Sequence, residues 1–297
     1  MTTPLSVIYW NPNPDLFLIP YFDHPLRWYG LFFSFGLLVG TLLFFPLLKH
    51  LLKSRSICSD SELHTHAYAY LDKLLWVAVI GIVIGARLGH VFFYDWSYYK
   101  MHLSEIPKVW HGGLASHGGT AGLLIALYIF AYATRKRYPG IKFIDLCDLM
   151  AIPAAFAATC IRIGNFFNQE IVGTPTNLPW AVLFAHPADG VSAIPRHPVQ
   201  LYEAIIYFAT FLILSFTWLK KRDSLKPGVL IGMLFIAIFG SRFMIEFLKQ
   251  PLATSMDQTF LQTGQLLSIP FVIVGIYLTS RQFVRSSNKL NAVTKGH

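Results

Sequence analysis

The chain has 297 residues, 54% of them hydrophobic and only 13% charged, and its 24 Lys and Arg against 15 Asp and Glu give a net charge of +9. A soluble domain usually carries about 25% charged residues, so the composition excludes an ordinary soluble globule and points to a polytopic membrane protein. The positive excess is spread over several loops and not gathered into one patch, which argues against a nucleic-acid partner.

Residues 1–27 have neither a basic n-region nor an apolar core, so the first span is expected to serve as the targeting signal. Windows 28–48, 74–94 and 114–134 are each long enough to cross about 30 Å of hydrocarbon at about 1.5 Å per residue. Four further spans are predicted at 144–167, 199–219, 228–248 and 263–280, joined by short connections except between the fourth and fifth. Continuous apolar runs of this length are compatible only with helices. The expected fold is therefore all-α, an integral membrane protein built as a seven-transmembrane-helix bundle. It reads as one domain over 1–283 with an external cap around 168–198, followed by a cytoplasmic tail at 284–297.

Basic residues near span ends are retained in the cytoplasm. Lys49, Lys53, Arg55 and Lys73 fall in the first connection, Arg135, Lys136, Arg137 and Lys142 in the third, and Lys220, Lys221, Arg222 and Lys226 in the fifth. Arg281, Arg285, Lys289 and Lys295 follow the last span, whereas the opposite side holds only Arg27, Lys100, Lys108, Arg196 and Lys249. This asymmetry predicts an external N-terminus and a cytoplasmic C-terminus. Cys58, Cys147 and Cys160 show no disulfide or metal-ligand spacing.

Ionisable groups inside spans are costly, so each is a functional candidate. On the predicted topology Arg87, His117, Arg162, Glu203, Arg242 and Glu246 all fall at the level of the outer leaflet. Four of them have a plain alternative: Arg87 as an arginine reaching for the headgroups, His117 as a satisfied core histidine, Glu203 and Glu246 as counter-ions of buried arginines. Asp145 and Asp148 suit the start of a cytoplasmic helix and are assigned no chemistry. Three arginines, a histidine and carboxylates at one depth nevertheless outweigh independent explanations. Within "IRIGNFFNQEIVG" (161–173), Arg162, Asn165 and Gln169 share one helical stripe that suits a phospholipid phosphate, because Arg binds phosphate bidentately and amides fill the remaining lone pairs. Gly164 and Gly173 would permit close approach or a left-handed turn. "HGGLASHGGTAG" (111–122) supplies a flexible glycine-rich entry around His117, whose imidazole suits proton transfer near neutrality. No metal cluster, phosphate loop or cofactor motif is evident.

"RIGNFFNQEIVG" resembles the signature Arg-x-Gly-Asn-Phe-x-Asn-x-Glu-x-x-Gly of the bacterial prolipoprotein diacylglyceryl transferases. The resemblance extends to "RWYG" (27–30), "GARLGHVFFY" (85–94), "WHGGLASHGG" (110–119), "PRHPVQLYE" (195–203), "RFMIEFLKQP" (242–251) and "GQLLSIP" (264–270). It implies transfer of the diacylglyceryl group of phosphatidylglycerol to the lipobox cysteine of a prolipoprotein, in the bacterial inner membrane, without a cofactor or metal. By the same resemblance His117 matches the proposed base and Arg162 and Arg242 the two critical arginines. Asn165, Tyr29, Asn168, Glu170 and Gly173 match pocket positions, with Arg87, His197 and Glu203 as further candidates. Ile161, His90 and Ile238 depart from the pattern, where Gly, Tyr and Tyr are common. Two other readings use the same residues, a lipid or anion transporter and an intramembrane hydrolase or acyltransferase. The inner halves of the spans lack the Lys and Arg that a transport path to the cytoplasm would need.

Overall fold

The structure, a computed structural model, describes residues 7–19, 24–109, 112–188, 190–250 and 261–293. Its helices are α1 (Trp28–Ser54), α2 (Leu63–Phe93), the short α3 (Trp96–Tyr99), α4 (Ser116–Thr134), α5 (Phe143–Phe167), α6 (Val199–Lys221), α7 (Val229–Ile245) and α8 (Thr263–Val293). Six of them are long and apolar enough to cross a membrane, and the apolar stretch of α4, Gly118–Thr134, is shorter. This is the pattern of an all-α polytopic membrane protein. α2 starts earlier than the second window, so Asp72 and Lys73 lie in the helix and not in a connection. Their polar turn keeps helical hydrogen bonding past the apolar run. α8 likewise runs through to Val293, with residues 294–297 outside the described part.

The chain divides into two compact units, residues 1–44 with 150–297, and residues 45–149. In the second unit α2 and α4 pack through small residues. A Cβ on Gly85 would fall 2.7 Å from Gly122 Cα, and one on Gly89 would fall 2.7 Å from Gly118 Cα. Glycines at this spacing let two backbones touch where lipid supplies no hydrophobic drive. Gly118 and Gly122 therefore belong to a helical seam and not to the flexible entry expected from "HGGLASHGGTAG"; the left-handed φ values fall earlier, at Gly112 (83°) and Gly113 (69°). At the start of α5, where its charge was expected to suit the helix dipole, Asp145 accepts the Lys142 N–H at 2.8 Å and pairs with Arg55 at 3.1 Å.

In the first unit α1 meets α5 at Gly36, where a Cβ would sit 3.1 Å from both Ala157 and Cys160. α7 meets α8 where Gly232 and Gly275 face one another. The unit also holds strands that no apolar window predicts: β1 (Ile8–Trp10), β2 (Asp15–Ile19), β3 (His24–Arg27), β4 (Val182–Phe184) and β5 (Pro195–Arg196). β4 lies between β1, which it pairs in parallel, and β5, which it pairs antiparallel, while β2 and β3 form a separate antiparallel ribbon. Trp10 packs on Phe166 at 4.5 Å and donates from Nε1 to the Phe166 carbonyl at 3.1 Å, so β1 is tied to the end of α5. Phe166, Val172, Val182 and Phe184 form the small core beneath this sheet.

Candidate active site

The apolar run of α5 ends in polar residues at one place. Arg162 and Asn165 are one turn apart, and Arg162 Nη1 donates to Asn165 Oδ1 at 3.0 Å. Asn165 Nδ2 donates to Glu170 Oε1 at 2.7 Å, and Asn168 Nδ2 reaches the same oxygen at 3.5 Å. Gln169 does not continue the stripe. The helix stops at Phe167, and Gln169 and Ile171 take left-handed φ values of 54° and 57°. Gln169 turns instead to the segment at 186–188, where its Oε1 accepts the His186 N–H at 2.8 Å and its carbonyl accepts the Ala188 N–H at 3.0 Å.

Gly173 is not the left-handed residue of this turn. It is needed because two backbones cross it: a Cβ there would run into the His197 carbonyl oxygen and fall 2.7 Å from His197 Cβ and 3.0 Å from the Leu248 carbonyl oxygen. Gly164 serves a close approach as expected, since its added Cβ would lie 3.0 Å from the Tyr29 ring. Tyr29 stands within electrostatic reach of both Glu170 and Arg162. His197 Nδ1 lies 3.2 Å from the Tyr202 hydroxyl, which also accepts from Trp180 Nε1 at 2.7 Å.

Opposite Arg162, α6 presents Glu203, which is fully buried. Glu203 Oε2 is 2.9 Å from Arg162 Nε and Oε1 is 2.9 Å from Lys249 Nζ. Lys249 Nζ also lies 3.1 Å from Glu246 Oε2. Of these contacts only that of Lys249 with Glu203 is aligned as a hydrogen bond; Glu203 Oε2 and Glu246 Oε2 are held by charge alone. Glu203 is thus the counter-ion of a buried arginine, as one reading had it, whereas Glu246 neutralises a lysine. Tyr207, one turn beyond Glu203, places its ring 6.0 Å from the Arg162 guanidinium carbon and feels the charge of Arg242 as well. Arg242, half-buried on α7, has no ion-pair partner among the described residues. An apolar groove of about 630 Å³ runs beside the cluster, lined by Phe32 and Phe35 of α1, Thr159 and Ile163 of α5, and Ala204 and Phe208 of α6, among others.

Arg87 belongs to the second unit and is 4% exposed. Its guanidinium donates to the carbonyls of Ile106 (2.7 Å), Glu105 (2.7 Å), Gly112 (2.6 Å) and Gly113 (3.3 Å), and it lies over the Tyr99 ring. It pins the segment that leads into α4. His117 stands in the first turn of α4, and its side chain lies outside the described part.

Sequence reasoning missed three buried members of the cluster. Lys249 looked like a loop cation, yet it is 7% exposed. Gln200, fully buried, donates from Nε2 to the Glu170 carbonyl at 2.7 Å. With Tyr207 it flanks Glu203 at i, i+3 and i+7, a polar stripe on an apolar helix that the sequence did display.

Cations buried among apolar helices, and an apolar groove beside them, are the marks of a membrane protein that handles anionic lipids. Residues 15–281 match the family model for prolipoprotein diacylglyceryl transferase. The chain is 38% identical to the phosphatidylglycerol--prolipoprotein diacylglyceryl transferase of Protochlamydia amoebophila, over 94% of this chain and 96% of that one. It is 40% identical to the protein of that name from Chloroherpeton thalassium (92% and 93% covered) and 39% identical to that from Chlamydia pneumoniae (92% and 95%). The chain belongs to the prolipoprotein diacylglyceryl transferase family.

Proposed function

We propose that this protein transfers the sn-1,2-diacylglyceryl group of phosphatidylglycerol to the lipobox cysteine thiol of a bacterial prolipoprotein. The cysteine sulfur forms a bond to the glycerol carbon of the lipid as the carbon–oxygen bond to phosphate breaks, and glycerol phosphate leaves with the electron pair. The thiol proton needs an acceptor, for which His117 is the candidate. Arg162 and Asn165 grip the lipid phosphate and Arg242 stabilises the departing one. Tyr29, Asn168, Glu170 and Glu203 shape and neutralise the pocket, Gly173 lets the cap cross it, and Arg87 orders the approach to His117. The apolar groove beside Arg162 suits an acyl chain.

The reading extends to topology: seven spans in the inner membrane, N-terminus outside, C-terminus cytoplasmic, site at the outer leaflet, and a cap around 168–198 that admits the lipobox peptide. The observation that carries it is the juxtaposition of two arginines at Tyr207, Arg162 matched by a carboxylate and Arg242 without one among the described residues. A charge left over in a low-dielectric site calls for an anion.

The test incubates purified protein in phosphatidylglycerol micelles with a lipobox peptide and follows peptide mass together with glycerol phosphate release. A diacylglyceryl mass gain is expected, absent for a Cys-to-Ser peptide. Arg162→Ala and Arg242→Ala should each lower the rate by at least about 100-fold while remaining folded. Undiminished transfer in both variants would sink the assignment of roles, and no transfer by the folded parent chain would sink the function.

A further inference from the structure

We infer that Lys249 is a positioning residue of this site, holding one oxygen of Glu203 and so limiting the hold of that carboxylate on Arg162. The kinetic part of the inference rests on the transferase reading; the geometric part does not. Lysine normally keeps its ammonium in water on a flexible stem. Here the side chain is only 8% exposed, and Nζ donates to Glu203 Oε1 at 2.9 Å while lying 3.1 Å from Glu246 Oε2.

Backbone on both sides of Lys249 is fastened to the cap. Lys249 bridges Gly173, the Thr174 N–H donates to the Leu248 carbonyl at 2.8 Å, and the Gln250 N–H donates to the Val172 carbonyl at 3.1 Å. Arg196 adds a side-chain tie, donating from Nη1 to Gln250 Oε1 at 2.9 Å and to the Gly173 carbonyl at 3.0 Å. Gly173, the start of the cap and Lys249 thus form one piece, and that piece delivers the ammonium to Glu203. A buried carboxylate shared by two cations divides its field between them. Without Lys249 the whole charge of Glu203 falls on Arg162, which is then less free to bind an anionic phosphate. Lys249 acts through Glu203, so its loss should weaken lipid binding more than it slows the chemical step.

The experiment compares the parent chain with Lys249→Met, Lys249→Arg, Glu203→Gln and the double variant Lys249→Met/Glu203→Gln. Lys249→Met should raise KM for phosphatidylglycerol by about tenfold or more with a smaller change in kcat. Lys249→Arg, which keeps the charge, should recover most of that loss. The double variant should have a lower KM than Lys249→Met alone, because the carboxylate that captures Arg162 is gone. Melting temperatures of the same proteins in micelles give a readout independent of transfer, and the two single shifts should be strongly non-additive. An unchanged KM in Lys249→Met, a failure of Lys249→Arg to rescue it, or additive melting shifts would each overturn the inference. A parent chain that transfers nothing overturns the functional reading instead, and the melting cycle then decides the positioning role by itself.

Discussion

Arg87 and Arg162 are both arginines embedded in apolar helices, yet their guanidinium groups end in different surroundings. Arg87 spends its donors on the carbonyls of residues 105, 106, 112 and 113, a neutral set that fixes a loop. Arg162 meets an amide, an aromatic ring and a carboxylate. A backbone carbonyl has no better use than such a bond, whereas an ion pair held by charge alone can exchange one anion for another. Gly173 shows how a signature residue can be required without touching the chemistry. Gly173→Ala must displace the His197 or Leu248 backbone, so it should cost about 1–3 kcal/mol and appear as a lowered melting temperature. An unshifted transition in that variant would mean that the crossing is looser than described.

Helix α5 carries most of its information at its end. The stripe of Arg162 and Asn165 follows from helical spacing, but the departure of Gln169 does not, because the left-handed turn at Gln169 and Ile171 uses no glycine. What accompanies it is a tie to a remote segment: Gln169 is bonded to His186 and Ala188, contacts far off in sequence. The seam between α2 and α4 is another such case, since the glycines at 118 and 122, expected to give a flexible entry, instead pack against those at 81, 85 and 89. Gly85→Leu should force these helices apart and destabilise the second unit by about 1–3 kcal/mol or more, measurable as protease sensitivity between residues 45 and 149. Gly30 has nothing within 4 Å of its added Cβ, and Gly30→Ala serves as the tolerated control.

For the whole molecule, the proposed topology can be read with a native cysteine. Cys147 and Cys160 are buried and Cys58 is not, so an impermeant maleimide reports on Cys58. Labelling is expected in inverted vesicles and not in intact cells; the reverse result would invert the orientation. Desolvation and the nearby carboxylates of Glu62 and Asp60 push the Cys58 thiol above its ordinary pKa, so labelling should be slower at neutral pH than for a free cysteine and accelerate as pH rises. Much of this molecule was legible in the chain itself. Apolar run length determined the helices, because lipid leaves backbone groups no partner outside a helix. Residue type and spacing singled out Arg162, Asn165, Glu203 and Arg242, because charge in lipid is expensive wherever it falls. Hidden from that reasoning were the five short strands, the turn at Gln169 and the burial of Lys249, which looks like a surface cation. These depend on contacts between segments remote in sequence, 173 with 249 and 203 with 249, and only the tertiary structure decides which distant backbone closes over a charge and which carboxylate it then meets.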